Sequence, residues 1–150
     1  MSKISVRLAN ISDIRFTLNL YNQNIVNKKF FSRKTISMSE HEKWFKKKLK
    51  EKMIFICSVN SRIGYIRYDH LDENSLSVSI AIKEKYKRNG FGKTMLRKTM
   101  LKKKIVKYKI FAHVKDDNFS SKKFFLNNGF KQINKNIFLN NLKQNKKIYK

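Results

Sequence analysis

The sequence predicts an α/β domain built on a mixed, mostly antiparallel sheet flanked by helices. Three observations carry that prediction. Ser75-Leu76-Ser77-Val78-Ser79-Ile80-Ala81-Ile82 alternates polar and apolar residues, with Leu76, Val78, Ile80 and Ile82 on one face of a strand. Tyr86-Lys87-Arg88-Asn89-Gly90-Phe91-Gly92-Lys93-Thr94 then turns the chain into a helix-like run from Phe91 to Lys104. Tyr108 to Val114 reads as another strand, so strand, helix and strand form a βαβ unit with parallel strands.

The other elements follow in order. Ile4-Ser5-Val6-Arg7-Leu8 alternates as a short half-buried strand. Ser12-Asp13 marks a helix start, and Ile14 and Leu18 begin an apolar face running to about Tyr21. Asn22 to Lys34 is polar and reads as a loop with a fragment of helix, anchored by Val26, Phe30 and Phe31. Ser39-Glu40-His41-Glu42 has the spacing of a capping box and predicts a helix over 40–51. Trp44, Phe45 and Leu49 form its apolar stripe, with Lys43, Lys46, Lys47 and Lys50 in water. Met53 to Val59 is nearly all apolar and predicts a central strand.

Arg62 to Tyr68 predicts the next strand, with Ile63, Tyr65 and Arg67 on one face and Gly64, Ile66 and Tyr68 on the other. Asp69 to Asn74 reads as a link, so three strands make an antiparallel meander. After the glycine turn, Phe91, Met95, Leu96, Thr99 and Met100 make the buried stripe of a helix whose last turn is Lys102-Lys103-Lys104. Asn118 to Asn128 predicts the last helix, closed at Gly129, and Phe130 to Asn140 one or two short strands. The basic stretch from Asn141 reads as a loose tail.

Composition narrows the function. The 150 residues suit one domain, and 41% hydrophobic residues exclude a disordered basic tail. Net charge is +26, which favours anionic partners, nucleic acid among them; lysine spread over a solvated surface explains the same number. No apolar run approaches the roughly 18 residues that span a bilayer. The single cysteine, Cys57, sits in an apolar run as a buried thiol and fits a reducing cytoplasm. His41, His70 and His113 lack metal-ligand spacing, so no metal is expected.

The turn is the chemical centre. Glycines separated by one residue let the backbone come close to a ligand, and the free amides of a helix start favour an anion. Lys87, Arg88 and Lys93 add charge, which reads as a phosphate cradle. Gly92-Lys93-Thr94 mimics the end of a Walker A loop, but Lys87 stands where its first glycine belongs. A dinucleotide fingerprint fails at Met95.

The order β-α-α-β-β-β-α-β-α-β, with a glycine turn after the fourth strand, resembles the GNAT family of acyl-CoA N-acyltransferases. The family's turn signature is Arg or Gln, two residues, Gly, one residue, then Gly or Ala; here it reads Lys87-Arg88-Asn89-Gly90-Phe91-Gly92. Its second signature is similar to Asn118-Phe119-Ser120-Ser121-Lys122-Lys123-Phe124-Phe125, followed by Gly129-Phe130. The resemblance implies the GNAT fold, with its parallel pair splayed apart, and acetyl-CoA as acetyl donor. Ile80, Ala81 and Ile82 on the fourth strand, Lys87 to Thr94, Asn118, Ser121, Phe124 and Phe125 would then face CoA. An amide near Ile82 would bond the acetyl oxygen.

Two departures concern catalysis. The family often protonates the departing thiolate from a tyrosine at the position held here by Phe125, and Ser121 or water would have to substitute. The fourth strand also lacks a carboxylate, which leaves Asp69 and His41 as candidate bases beside Glu73 or a water chain. His41 also reads as a substrate ligand or as a residue that simply caps or packs, and Asp69 as a turn residue.

The first half, Leu20-Tyr21-Asn22 and Ser39-Glu40-His41-Glu42-Lys43-Trp44-Phe45, resembles GNAT enzymes of nonulosonic (pseudaminic and legionaminic) acid synthesis. That resemblance implies a small-molecule amine, a nucleotide-linked amino sugar, met by Asn22, Asn24 and Trp44. A protein amine of the ribosomal type is the alternative acceptor. A non-catalytic nucleic-acid binder is the reading from another class, and an oligomer is compatible with each.

Overall fold

Strand β4 (Ser75–Ile82) is the axis of the computed structural model, which describes residues 3–26 and 34–141. It lies fourth in a seven-stranded sheet ordered β1-β2-β3-β4-β5-β7-β6. The other strands are β1 (Ser5–Leu8), β2 (Ile54–Val59), β3 (Ser61–His70), β5 (Lys109–His113), β6 (Lys131–Gln132) and β7 (Ile137–Asn141). Neighbouring strands are antiparallel except β4 and β5, the parallel pair of the βαβ unit.

The alternation of β4 decides which layer covers each face. Leu76 and Val78 enter the main core with Phe55, Ile66 and Tyr68, beneath Met95, Leu96 and Met100 of α3 (Phe91–Met100) and Phe125 of α4 (Phe119–Asn127). Ala81 enters a smaller cluster on the other face with Leu20, Ile56 and Tyr65, on the side of α1 (Ile14–Val26) and α2 (Met38–Glu51). Polar groups inside the main core are paired: the Tyr68 hydroxyl lies 2.6 Å from that of Thr99, which also donates to the Met95 carbonyl.

Several expected boundaries shift for identifiable reasons. The first helix is preceded by a short 3-10 turn, Ile11–Asp13, capped by Asn10, and the capping box is Asn10 with Asp13 rather than Ser39 with Glu42. α1 runs on to Val26 instead of ending near Tyr21, because its asparagines find partners without leaving the helix. Asn24 donates to the Leu20 carbonyl, and Asn22 bonds both main-chain groups of Ile36. That tie holds the chain entering α2, so Ser37 in extended conformation caps the helix by accepting from the Glu40 amide.

β3 extends to His70, which places Asp69 within the strand. Its face pattern breaks at a bulge: Cys57 pairs with Gly64 but Ser58 with Arg62, so Ile63 joins the main core instead of sharing a face with Tyr65 and Arg67. α3 stops at Met100, before the predicted lysines. Ile105, fully buried, draws the chain inward, and its amide bonds the Lys102 carbonyl in a turn. The expected loop anchors Phe30 and Phe31 and the tail from residue 142 lie outside the described residues.

Candidate functional site

Main-chain geometry on β4 comes first. The Lys109 amide donates to the Asn74 carbonyl, so by strand alternation the even-numbered residues of β4 turn their main-chain groups toward β5. The β4–β5 ladder covers only Ser75 to Ser77, although β4 continues to Ile82 and β5 to His113. Beyond the ladder the pair splays, and the main-chain groups of Val78, Ile80 and Ile82 face the gap.

The glycine turn stands at the end of that strand. Gly90 is the N-cap of α3 with φ +78, and no side chain caps the helix. Its first amides therefore have no intrahelical partner or cap side chain. A Cβ built on Gly90 meets nothing within 4 Å, so the space beside the turn at Gly90 is open. Arg88 also lies in the left-handed region, φ 65, at a strain cost of about 1–2 kcal/mol. Its cation is exposed, as is that of Lys93. Lys87 pairs with Glu84 at 3.0 Å, and Asn89 donates to the Lys87 carbonyl. Thr94 turns its hydroxyl back onto the Gly90 carbonyl at 3.2 Å. An open, uncapped and cationic helix start beyond a strand whose one edge is unpaired past Ser77 fits a pyrophosphate and the extended arm that follows it.

α4 closes the site. Asn118 caps that helix by accepting from the Ser121 amide at 3.3 Å, which explains an Asn three residues before a small residue. Phe124 reaches the turn, within 3.2 Å of a Cβ built on Gly92. Phe125 points to the core, 7% exposed, with its ring centroid 5.0 Å from that of Phe130.

On the opposite face, a cleft of about 410 Å³ opens over β3. Thr17 and Tyr21 of α1, Glu40, His41 and Trp44 of α2, and Tyr65 and Arg67 of β3 contribute to its walls. Tyr65 pairs with Ala81 and Arg67 with Ser79, so the cleft lies over the strand next to β4. The Arg67 guanidinium stacks 5.0 Å from the Trp44 ring centroid, and its Nε lies 2.8 Å from Asp69. Asp69 also pairs with Lys48, so two cations hold its carboxylate. Burial pushes the Tyr65 hydroxyl up to about 12, so it remains protonated. Burial, with Arg67 nearby, lowers the His41 pKa against a hydrogen bond to the Ile14 carbonyl that works to raise it, which favours the neutral ring.

The structure thus brings His41 and Trp44 into one cleft with Tyr65 and Arg67, and sets Asp69 behind Arg67. Asn22 and Asn24 do not line it; their side chains serve the main chain. Tyr65, Arg67, Thr17 and Tyr21 were not among the expected site residues. The shared face of Tyr65 and Arg67 was the available signal, but nothing local said that α1 and α2 would leave that face open. Cys57 is buried, and burial pushes its thiol to about 12, which suits an inert core residue. Among the described residues no three His, Cys, Asp or Glu side chains gather as a metal site, and no helix is long and apolar enough to cross a membrane.

The sequence pattern of the acetyltransferase (GNAT) domain matches residues 3–131. No curated protein matches the chain. Among solved structures, an N-acetyltransferase from Staphylococcus aureus Mu50 is similar at TM-score 0.77 and 20% identity, covering 92% of this chain and 95% of that one. A ribosomal-protein-alanine N-acetyltransferase from Brucella melitensis is similar at TM-score 0.76 and 16% identity, covering 90% and 96%. A spermidine N-acetyltransferase from Vibrio cholerae, solved with CoA and spermine, is similar at TM-score 0.76 and 20% identity, covering 89% and 84%. These likenesses establish a shared fold. With the domain pattern running from the first strand through the splayed pair and glycine turn to β6, the chain belongs to the GNAT acetyltransferase family.

Proposed function

We propose that this chain moves the acetyl group of acetyl-CoA to a primary amine held in the cleft, and that the amine belongs to a nucleotide-linked amino sugar. The observation that carries the reading is the placement of β4. Its even-numbered main-chain groups beyond Ser77 face the splay, the uncapped turn follows it, and the cleft lies over its neighbour β3. Acetyl-CoA supplies the activated thioester. The amides at the start of α3, with Arg88 and Lys93, hold the pyrophosphate, and the main chain of Ile80 and Ile82 orients the arm and polarises the acetyl carbonyl, while Ala81 turns its main chain toward β3. The amine nitrogen bonds to the carbonyl carbon, the carbon–sulfur bond breaks, and the proton lost by the amine ends on the thiol.

The aromatic walls, Tyr21, Trp44 and Tyr65, suit a sugar or base face, and Arg67 suits a phosphate. The buried thiol fits the reducing cytoplasm in which we place the protein. The net charge of +26 favours a second acceptor, a protein amine docked through a ribosome surface.

A free-thiol release assay with acetyl-CoA tests the reading against a panel of UDP-linked amino sugars and basic peptides. Release with an amino sugar is expected. Release with peptides alone moves the acceptor to the second reading, and release with no amine overturns the enzymatic one.

A further inference from the structure

His41 is 2% exposed, and its Nδ1 has no hydrogen-bond partner among the described residues. The other ring nitrogen fixes the tautomer. His41 Nε2 lies 3.0 Å from the Thr17 hydroxyl oxygen. That oxygen is also 3.1 Å from the Asp13 carbonyl and 3.0 Å from the Ile14 carbonyl. A hydroxyl has one proton, and both carbonyls can only accept it. Assigning that proton to the main chain leaves Thr17 as an acceptor toward His41 and puts the imidazole hydrogen on Nε2. Nδ1 is left as a bare lone pair.

The ring cannot easily turn to find another partner. It packs against Trp44 and Phe45, with centroids 5.5 and 5.3 Å away. A buried acceptor without a donor is costly, and such groups are rare unless a ligand or water completes them. His41, which carries it, lines the cleft together with Tyr65, whose strand partner on β4 is Ala81. Because burial favours the neutral imidazole, it suits the receipt of a hydrogen bond better than the storage of a proton.

We propose that His41 reads the acceptor: Nδ1 takes a hydrogen bond from an O–H or N–H group carried next to the reacting amine. The substrate class is then a vicinal amino alcohol, as in a 2-amino sugar, and not an isolated alkylamine. The inference rests on the reading of the cleft as the acceptor site.

The test compares a UDP-linked 2-amino sugar with its 3-deoxy analogue, on the full chain and on His41→Phe. The native protein is expected to prefer the hydroxyl-bearing acceptor by roughly tenfold in kcat/KM, the worth of a buried hydrogen bond. His41→Phe erases that preference. A variant that keeps it overturns the proposal. ¹⁵N NMR of the imidazole gives a second readout that needs no variant and no turnover. Nδ1 is expected in the unprotonated range in the free protein and shifts when the amino sugar is added. A protonated Nδ1, or one that stays unmoved at saturating sugar, overturns the proposal. Absent thiol release with a shifted Nδ1 would instead fault the enzymatic reading and leave His41 as a ligand.

Discussion

Gly92 of α3 faces Phe124 of α4: a Cβ on Gly92 would stand 3.2 Å from Phe124 Cε2 and 3.3 Å from Ile82 Cδ1. The two glycines of the turn therefore do different work. Gly90 keeps open space and a left-handed φ, while Gly92 lets α3 seat against α4 and β4. Gly92→Val should lower stability by about 1–3 kcal/mol through overpacking, read as a lower urea midpoint at unchanged slope.

Asp13 ties the start of the chain to the sheet. Its carboxylate has no exposed surface, and it receives both guanidinium nitrogens of Arg7 at 2.8 Å, Arg62 at 3.1 Å and the Asn10 amide at 2.8 Å. Burial works to raise its pKa, and these hydrogen bonds outweigh burial and lower it below the usual carboxylate value of 3.8. A depressed folded-state pKa stabilises the fold above the unfolded pKa, and that contribution is lost as pH falls through the folded one. Stability should thus fall on acidification below about pH 4, where a free aspartate begins to protonate. Asp13→Asn should flatten that part of the acid limb and cost about 1.5–3 kcal/mol at neutral pH, measured by chemical unfolding across pH.

What the sequence made legible follows from locality. The alternation of Ser75 to Ile82, the glycines at 90 and 92 and the Asn118 cap are each written within a few neighbouring residues, and the structure places the corresponding elements there. The end of α3 depended on the burial of Ile105, and the start of α2 on a bond from Asn22, 14 residues away from Ile36. The cleft was less legible still. His41, Trp44, Tyr65 and Arg67 come together only when two helices cross the sheet, and no spacing within one element announces that.

Asp69 illustrates the same point. In sequence it is a candidate base; in the structure it is clamped by Lys48 and by Arg67, whose guanidinium lies over Trp44. Its oxygens are turned to these two cations, and we assign it the positioning of Arg67. Asp69→Asn should raise KM for the acceptor several-fold while kcat falls less than tenfold. A loss of about 10²-fold or more in kcat would mark it as the general base instead.

Phe125 occupies the position where many GNAT enzymes carry a tyrosine acid. A thiolate with a pKa near about 8.5 leaves without one, only more slowly. Phe125→Tyr should raise kcat at least tenfold if the hydroxyl reaches the sulfur from this position, within the range of about 10²–10⁴ that a well-placed acid supplies. Steady-state thiol release measures it, and an unchanged kcat would show that departure of the thiolate is not limiting.

The account turns on the glycine turn as the seat of the CoA pyrophosphate. The direct measurement is calorimetric titration of acetyl-CoA into the native chain and into Gly90→Val, with a thermal melt of each to confirm folding. Binding by the native chain and at least a tenfold weaker Kd in a folded variant is the predicted result. Equal affinity in the two proteins would contradict it.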